Sequence, residues 1–98
     1  MQFVTLSRRR TEQFSESEFA PYVPDEMQQA RALYSEGSIR QIWRRDDVAG
    51  ACILWEADTE ASVRELLNRL PLVRAGMLEI VALMPLRPYA GFGPQQSK

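Results

Sequence analysis

The sequence predicts an α+β fold in which two helices cover one face of a four-stranded antiparallel sheet, and three observations carry that prediction. Stretches 2–8, 39–45, 51–57 and 77–86 alternate, or run almost continuously apolar, in the manner of strands. Two intervening stretches place apolar residues at the three-and-four spacing of an amphipathic helix. The resulting order of strand, helix, strand, strand, helix, strand is the split βαβ, or ferredoxin-like, pattern.

The first strand sets Phe3, Thr5 and Ser7 against Val4, Leu6 and Arg8. Ser15 with Glu18 three residues on forms a capping box, and Phe14 before the cap is placed to staple onto Phe19. Pro21 and Pro24 cannot both lie inside one regular helix, because each lacks an amide donor and crowds the preceding turn. A short turn over 16–20 and a main helix over 24–36 follow, with a kink or break between them. Met27, Ala30, Leu33 and Tyr34 share one side of the main helix. Gly37 ends it, since glycine alone enters the left-handed C′ conformation without a steric penalty.

Alternation in the second strand points Ile39, Gln41, Trp43 and Arg45 one way and Arg40, Ile42 and Arg44 the other. Neither face is purely apolar, so this strand lies at a wet surface or beside an anionic ligand. Residues 46–50 suit a hairpin loop. The third strand places Ala51, Ile53, Trp55 and Ala57 opposite Cys52, Leu54 and Glu56. Asp58 or Thr59 caps the second helix, whose stripe of Val63, Leu66, Leu67 and Leu70 stops before Pro71. The fourth strand sets Leu78, Ile80, Ala82 and Met84 against Val81 and Leu83. Beyond it Pro88, Gly91, Gly93 and Pro94 predict an extended tail, giving a domain over 1–87 and a tail over 88–98 anchored by Tyr89 and Phe92.

Composition narrows the chemistry. One domain of 98 residues buries roughly 65% of its unfolded surface. A net charge of −1 gives no general attraction to nucleic acid or to an anionic membrane, and Arg8-Arg9-Arg10 reads as a solvated strand end. Histidine is absent, which removes Ser-His and Cys-His nucleophile systems and most zinc sites. Lys98 is the only lysine, so a Schiff-base residue is lacking as well. Neither a metal nor a cofactor is expected. The single cysteine, Cys52, sits in an apolar run and suits a reduced cytoplasmic setting, and no signal segment or membrane-spanning stretch is present.

Two helices cover one face of such a sheet. The other still carries Leu54 or Trp55 and Val81, Leu83 or Met84, too much apolar surface to leave in water. A second copy of the chain is the cheapest cover, which predicts a two-fold homodimer with its sheets face to face. Tyr89 and Phe92 then predict a tail that rests on a neighbouring subunit.

Asp25-Glu26, Ala30, Leu33, Glu36-Gly37, Arg40, Trp43-Arg44 and Leu70-Pro71-Leu72, set on this topology, make the chain resemble the muconolactone delta-isomerase family from Phe3 to about Pro88. The resemblance implies small ferredoxin-like subunits that pair as dimeric α/β barrels and assemble further, into decamers. It also implies a cofactor-free activity of aromatic catabolism that moves a C=C bond in a carboxylated lactone or related ring compound. Glu26 takes the position of the family's catalytic glutamate, and Arg40, Trp43 and Arg44 stand where the family has its Arg and Trp-Arg. The resemblance breaks at Val23, which occupies the place of a lysine three residues before the glutamate, and at Tyr89 to Pro94, which replace a histidine-containing tail. Val23 therefore points to a substrate other than muconolactone, or to slow turnover of it.

A carboxylate that shuttles a proton from one carbon to another needs an apolar pocket to raise its pKa and donors for the developing enolate. The predicted site has Glu26 as the base, with Tyr22, Arg40, Trp43 and Arg44 binding a small anionic substrate. Each residue also has a plainer reading. Glu26 in the first turn of a helix suits the helix dipole, Arg40 and Arg44 suit an edge paired with Asp46, Asp47 or Glu36, and Trp43 and Trp55 suit a core or an interface. Three function classes stay open: a proton-shuttling isomerase, a cofactor-independent oxygenase or cyclase on an aromatic substrate, and a non-catalytic oligomeric module. A closed polar-apolar cleft beside Glu26, a large aromatic one, or none would separate them.

Overall fold

The structure, a computed structural model, describes residues 1–92; the predicted tail beyond Phe92, with Gly93 and Pro94, lies outside the described residues. The strands are β1 (Gln2–Arg9), β2 (Ile39–Arg44), β3 (Ala51–Glu56) and β4 (Leu78–Leu86). They form one antiparallel sheet in the order β2-β3-β1-β4. The helices are α1 (Glu16–Phe19), α2 (Val23–Ser35), α3 (Glu60–Leu67) and α4 (Pro71–Arg74). The fold is α+β, and no helix among the described residues is long and apolar enough to cross a membrane.

The local signals act as their chemistry requires. Ser15 and Glu18 complete a reciprocal capping box, and the Phe14 ring meets Phe19 edge-on at 6.0 Å. Pro21 lies in a single 3₁₀ turn over Ala20–Tyr22 that runs directly into α2, and Pro24 takes the second position of α2, where a missing N–H is harmless. Gly37, at φ 88°, ends the helix. Gly50 is required for another reason: a Cβ there would lie 2.1 Å from the Ser7 carbonyl oxygen, because the 45–50 loop crosses the end of β1. Thr59 caps α3, and Pro71 begins a short fourth helix, where a missing N–H is harmless.

The core lies between helices and sheet, with Phe3, Leu33, Ile39, Trp55, Val63 and Leu67 almost fully buried. The Trp55 indole N–H donates to Thr5 Oγ1 at 2.8 Å, so the one polar atom of the largest core side chain is satisfied. A second, smaller core joins Phe19, Leu72 and Met77.

Two bulges reverse the alternation expected from sequence. In β2 the pairing steps from Ile39 opposite Trp55 to Gln41 opposite Leu54, leaving Arg40 as the extra residue. Ile39, Ile42 and Arg44 therefore share the helix-covered face, while Gln41 and Trp43 face away. In β4 the extra residue is Val81, which puts Leu78, Ile80 and Leu83 on the helix side and Ala82 and Met84 on the other. A one-residue insertion exchanges the faces of everything beyond it. The outer face of the sheet thus carries Val4, Leu6, Trp43, Leu54 and Met84, with Trp43 and Met84 each about half exposed within one chain. The tail departs from a wholly extended form in a 3₁₀ turn over Ala90–Phe92, with the exposed Tyr89 and Phe92 rings 5.0 Å apart.

Candidate functional site

Between α2, α4 and the helix-covered face of the sheet opens a cleft of about 830 Å³. Its floor is apolar, from Ile39, Ile53, Leu67, Leu70 and Ile80. Polar groups enter from three directions: Glu26 from α2, Arg9 with Thr5 and Ser7 from β1, and Arg44 with the 45–50 loop from β2. No aromatic side chain lines it among the described residues.

Glu26 sits in the first turn of α2, half-buried, on the side of the helix that looks into the cleft. Its Oε1 accepts a hydrogen bond from the Leu72 backbone N–H at 3.0 Å. That donor is free because Leu72 is the second residue of α4, where no carbonyl precedes it within the helix. Burial pushes the carboxyl above its usual range, and the Leu72 hydrogen bond and the charges of Arg9 and Arg74 only partly offset this. A carboxylate with one oxygen held and a raised pKa binds a proton more strongly than a free one. Val23, one turn earlier, lines the same cleft, so the apolar residue in the place of the family's lysine falls inside the site.

The arginines divide by partner. Arg8, on the outer face of β1, is bound by Glu12 and Glu79, and holds the Glu12 carboxyl down to about 2. Arg45 is bound by Asp47 and also donates to the Ser7 carbonyl at 3.2 Å, which fastens the loop over the end of β1. Glu36 pairs with Arg69. Arg9, Arg40 and Arg44 make no ion pair among the described residues, so the expected pairing of Arg40 or Arg44 with Asp46, Asp47 or Glu36 is not found.

Of the residues expected at the site, Glu26 and Arg44 both line the cleft, whereas Tyr22, Arg40 and Trp43 do not line it within this chain. Tyr22 belongs to the 3₁₀ turn ahead of α2 and is exposed. Arg40 is the bulge residue, exposed at the edge of the sheet, and the parity change that follows it sends Trp43 to the outer face. Arg9 is not a solvated strand end: it follows Phe3, Thr5 and Ser7 in the same alternation, and that signal places it on the cleft side. A smaller groove of about 330 Å³ beside α3 is lined by Glu56, Asp58 and Glu65 with no cationic side chain, unsuited to an anion.

No curated protein matches the chain by sequence. Among solved structures it is similar to 5-chloro-2-hydroxyhydroquinone dehydrochlorinase (TftG) from Burkholderia phenoliruptrix AC1100, in complex with 2,5-dihydroxybenzoquinone. The TM-score is 0.72 at 14% identity, over 89% of this chain and 94% of that one, a likeness of fold. The family model described as muconolactone delta-isomerase matches residues 1–90, which include β1, the Glu26 turn, both arginine-bearing strand ends and the Leu72 amide. The chain belongs to the muconolactone delta-isomerase family.

Proposed function

We propose that the protein is a cofactor-free isomerase that moves a C=C bond in a small carboxylated lactone or related ring compound, with Glu26 as the proton-shuttling base. The observation that carries this reading is the half-buried Glu26 carboxyl, its pKa raised by burial, opening onto an apolar cleft that also holds unpaired arginines. In the reaction the carboxylate takes a C–H proton from a carbon joined to the ring carbonyl through the C=C bond, and the electron pair moves through that bond to the carbonyl oxygen as a dienolate. The same carboxyl then returns the proton to another carbon, and substrate and product differ only in the place of the double bond. Arg44, at the exposed end of the edge strand, holds the carboxylate arm. A cleft with no aromatic side chain among the described residues supports this reading over an oxygenase or cyclase that stacks an aromatic substrate.

The reading includes a homodimer, with higher assembly open, in which a second copy covers Val4, Leu6, Leu54 and Met84 and stands over Trp43. The experiment is a chromatographic screen of the purified protein against a panel of five-membered lactones with and without carboxymethyl arms. Isomerisation of an arm-bearing lactone, lost in Glu26→Gln, is expected. A panel left unchanged, or products formed equally by the variant, would overturn the reading.

A further inference from the structure

We propose that Arg9 is a second catalytic residue of the cleft, the donor that meets the oxygen on which negative charge develops, so that the inner end of the cleft takes an enolisable ring carbonyl. This rests on the isomerase reading and adds to it the group that bears the charge.

Four observations converge on Arg9. It follows Phe3, Thr5 and Ser7 on the helix-covered face of β1 and lines the cleft with Glu26. Its guanidinium carbon lies 5.1 Å from the centroid of the Phe19 ring, which is 2% exposed and braced edge-on by Phe14. A guanidinium held over a ring by cation–π attraction keeps its N–H donors for another acceptor. Phe19 shares the smaller core with Leu72, whose amide holds Glu26. One packed unit therefore orients both the carboxylate and the cation.

Partners decide between the arginines. Arg8 is spent on Glu12 and Glu79, and Arg45 on Asp47 and Ser7. Arg9 has neither an ion pair nor a side-chain hydrogen bond among the described residues, and it is half-buried where Arg44 is exposed. An unpaired, oriented cation beside a base is the arrangement that stabilises an enolate oxygen. When Glu26 takes the C–H proton, the electron pair moves to the carbonyl oxygen, which accepts from the Arg9 N–H edge. When the proton returns to the other carbon the pair flows back, and no further reactant is consumed.

The test uses tetronic acid, a five-membered lactone that is an enolate anion at neutral pH and has no carboxylate arm. Calorimetric titration should show binding to the wild-type protein, weakened at least about tenfold in Arg9→Gln and within about threefold of wild type in Arg44→Gln. Arg9→Lys, which keeps the charge without the planar fork, should fall between. In the wild type, the Arg9 Nε–H resonance should shift on adding tetronate, a readout that needs no variant to fold. No binding by the wild type, equal binding by Arg9→Gln, an unmoved resonance, or an equal loss in Arg44→Gln would each overturn the assignment. Loss of tetronate in Arg9→Gln, with no lactone isomerised by the wild type, would keep the oxyanion site and remove the isomerase reading. Isomerisation of muconolactone by the wild type and undiminished by Arg9→Gln would do the reverse.

Discussion

The Leu72 backbone amide donates to the Glu26 carboxylate at 3.0 Å, joining the first turns of α2 and α4 across 46 residues of sequence. This one bond fixes where the Glu26 carboxylate stands. It also gives the Leu70-Pro71-Leu72 stretch a physical role, because Pro71 opens the helix that frees the amide.

That setting makes stability depend on pH with a definite sign. Burial raises the folded-state pKa of Glu26, so the folded chain holds the proton more tightly than the unfolded chain. The contribution is fully present below the ordinary carboxylate range and is lost as pH rises through the folded value. Glu26→Gln removes that loss while keeping an acceptor for Leu72. Thermal melts should show the variant gaining on the wild type as pH rises above about 4, the ordinary carboxylate range. A difference that stays constant as pH rises would contradict the buried-carboxyl account.

Thr5 is 1% exposed and is the partner of the Trp55 indole. Thr5→Val keeps the volume and removes the acceptor, leaving a buried N–H unpaired at a cost of about 1–3 kcal/mol. Urea denaturation should show that drop in stability. An unchanged midpoint would mean that the indole finds another acceptor.

Much of this was legible in the residues, and what was not has a common cause. Caps, the glycine stop, the element order and the burial of Leu33 follow from local chemistry, which the sequence carries directly, whereas the face taken by Trp55 is open in the sequence between core and uncovered side. Glu26 in a cleft was legible through the family resemblance. The faces of β2 and β4 were not, because the bulges at Arg40 and Val81 are properties of strand pairing, and each reverses the parity of all that follows. Trp43 was lost from the predicted site for that reason alone. Arg9 could have been found by extending the first strand one residue beyond 2–8, had its triplet not suggested a solvated end. The Leu72 donor is a backbone group and leaves no mark in the pattern of side chains.

The outer face of the sheet predicts assembly. Leu54 lies on an inner strand with Val4 opposite it, so Leu54→Glu puts a charge in the middle of the apolar patch. Sedimentation should find the wild type as a dimer or larger at micromolar concentration and the variant as a monomer. Tyr89 and Phe92, 70% and 90% exposed in one chain, predict that truncation after Arg87 also weakens assembly. A monomeric wild type would remove the dimer from the account, and an unchanged mass after truncation would remove the tail's part in it.

The central claim is that Glu26 moves the proton. It is tested most directly by following muconolactone in D₂O by proton NMR with wild type and Glu26→Gln at matched concentration. The account predicts loss of the ring C–H signal, or growth of the isomer, at a measurable rate with wild type. It predicts a rate lower by about 100-fold or more in the variant, with tetronate still bound. Equal rates in the two proteins would contradict it.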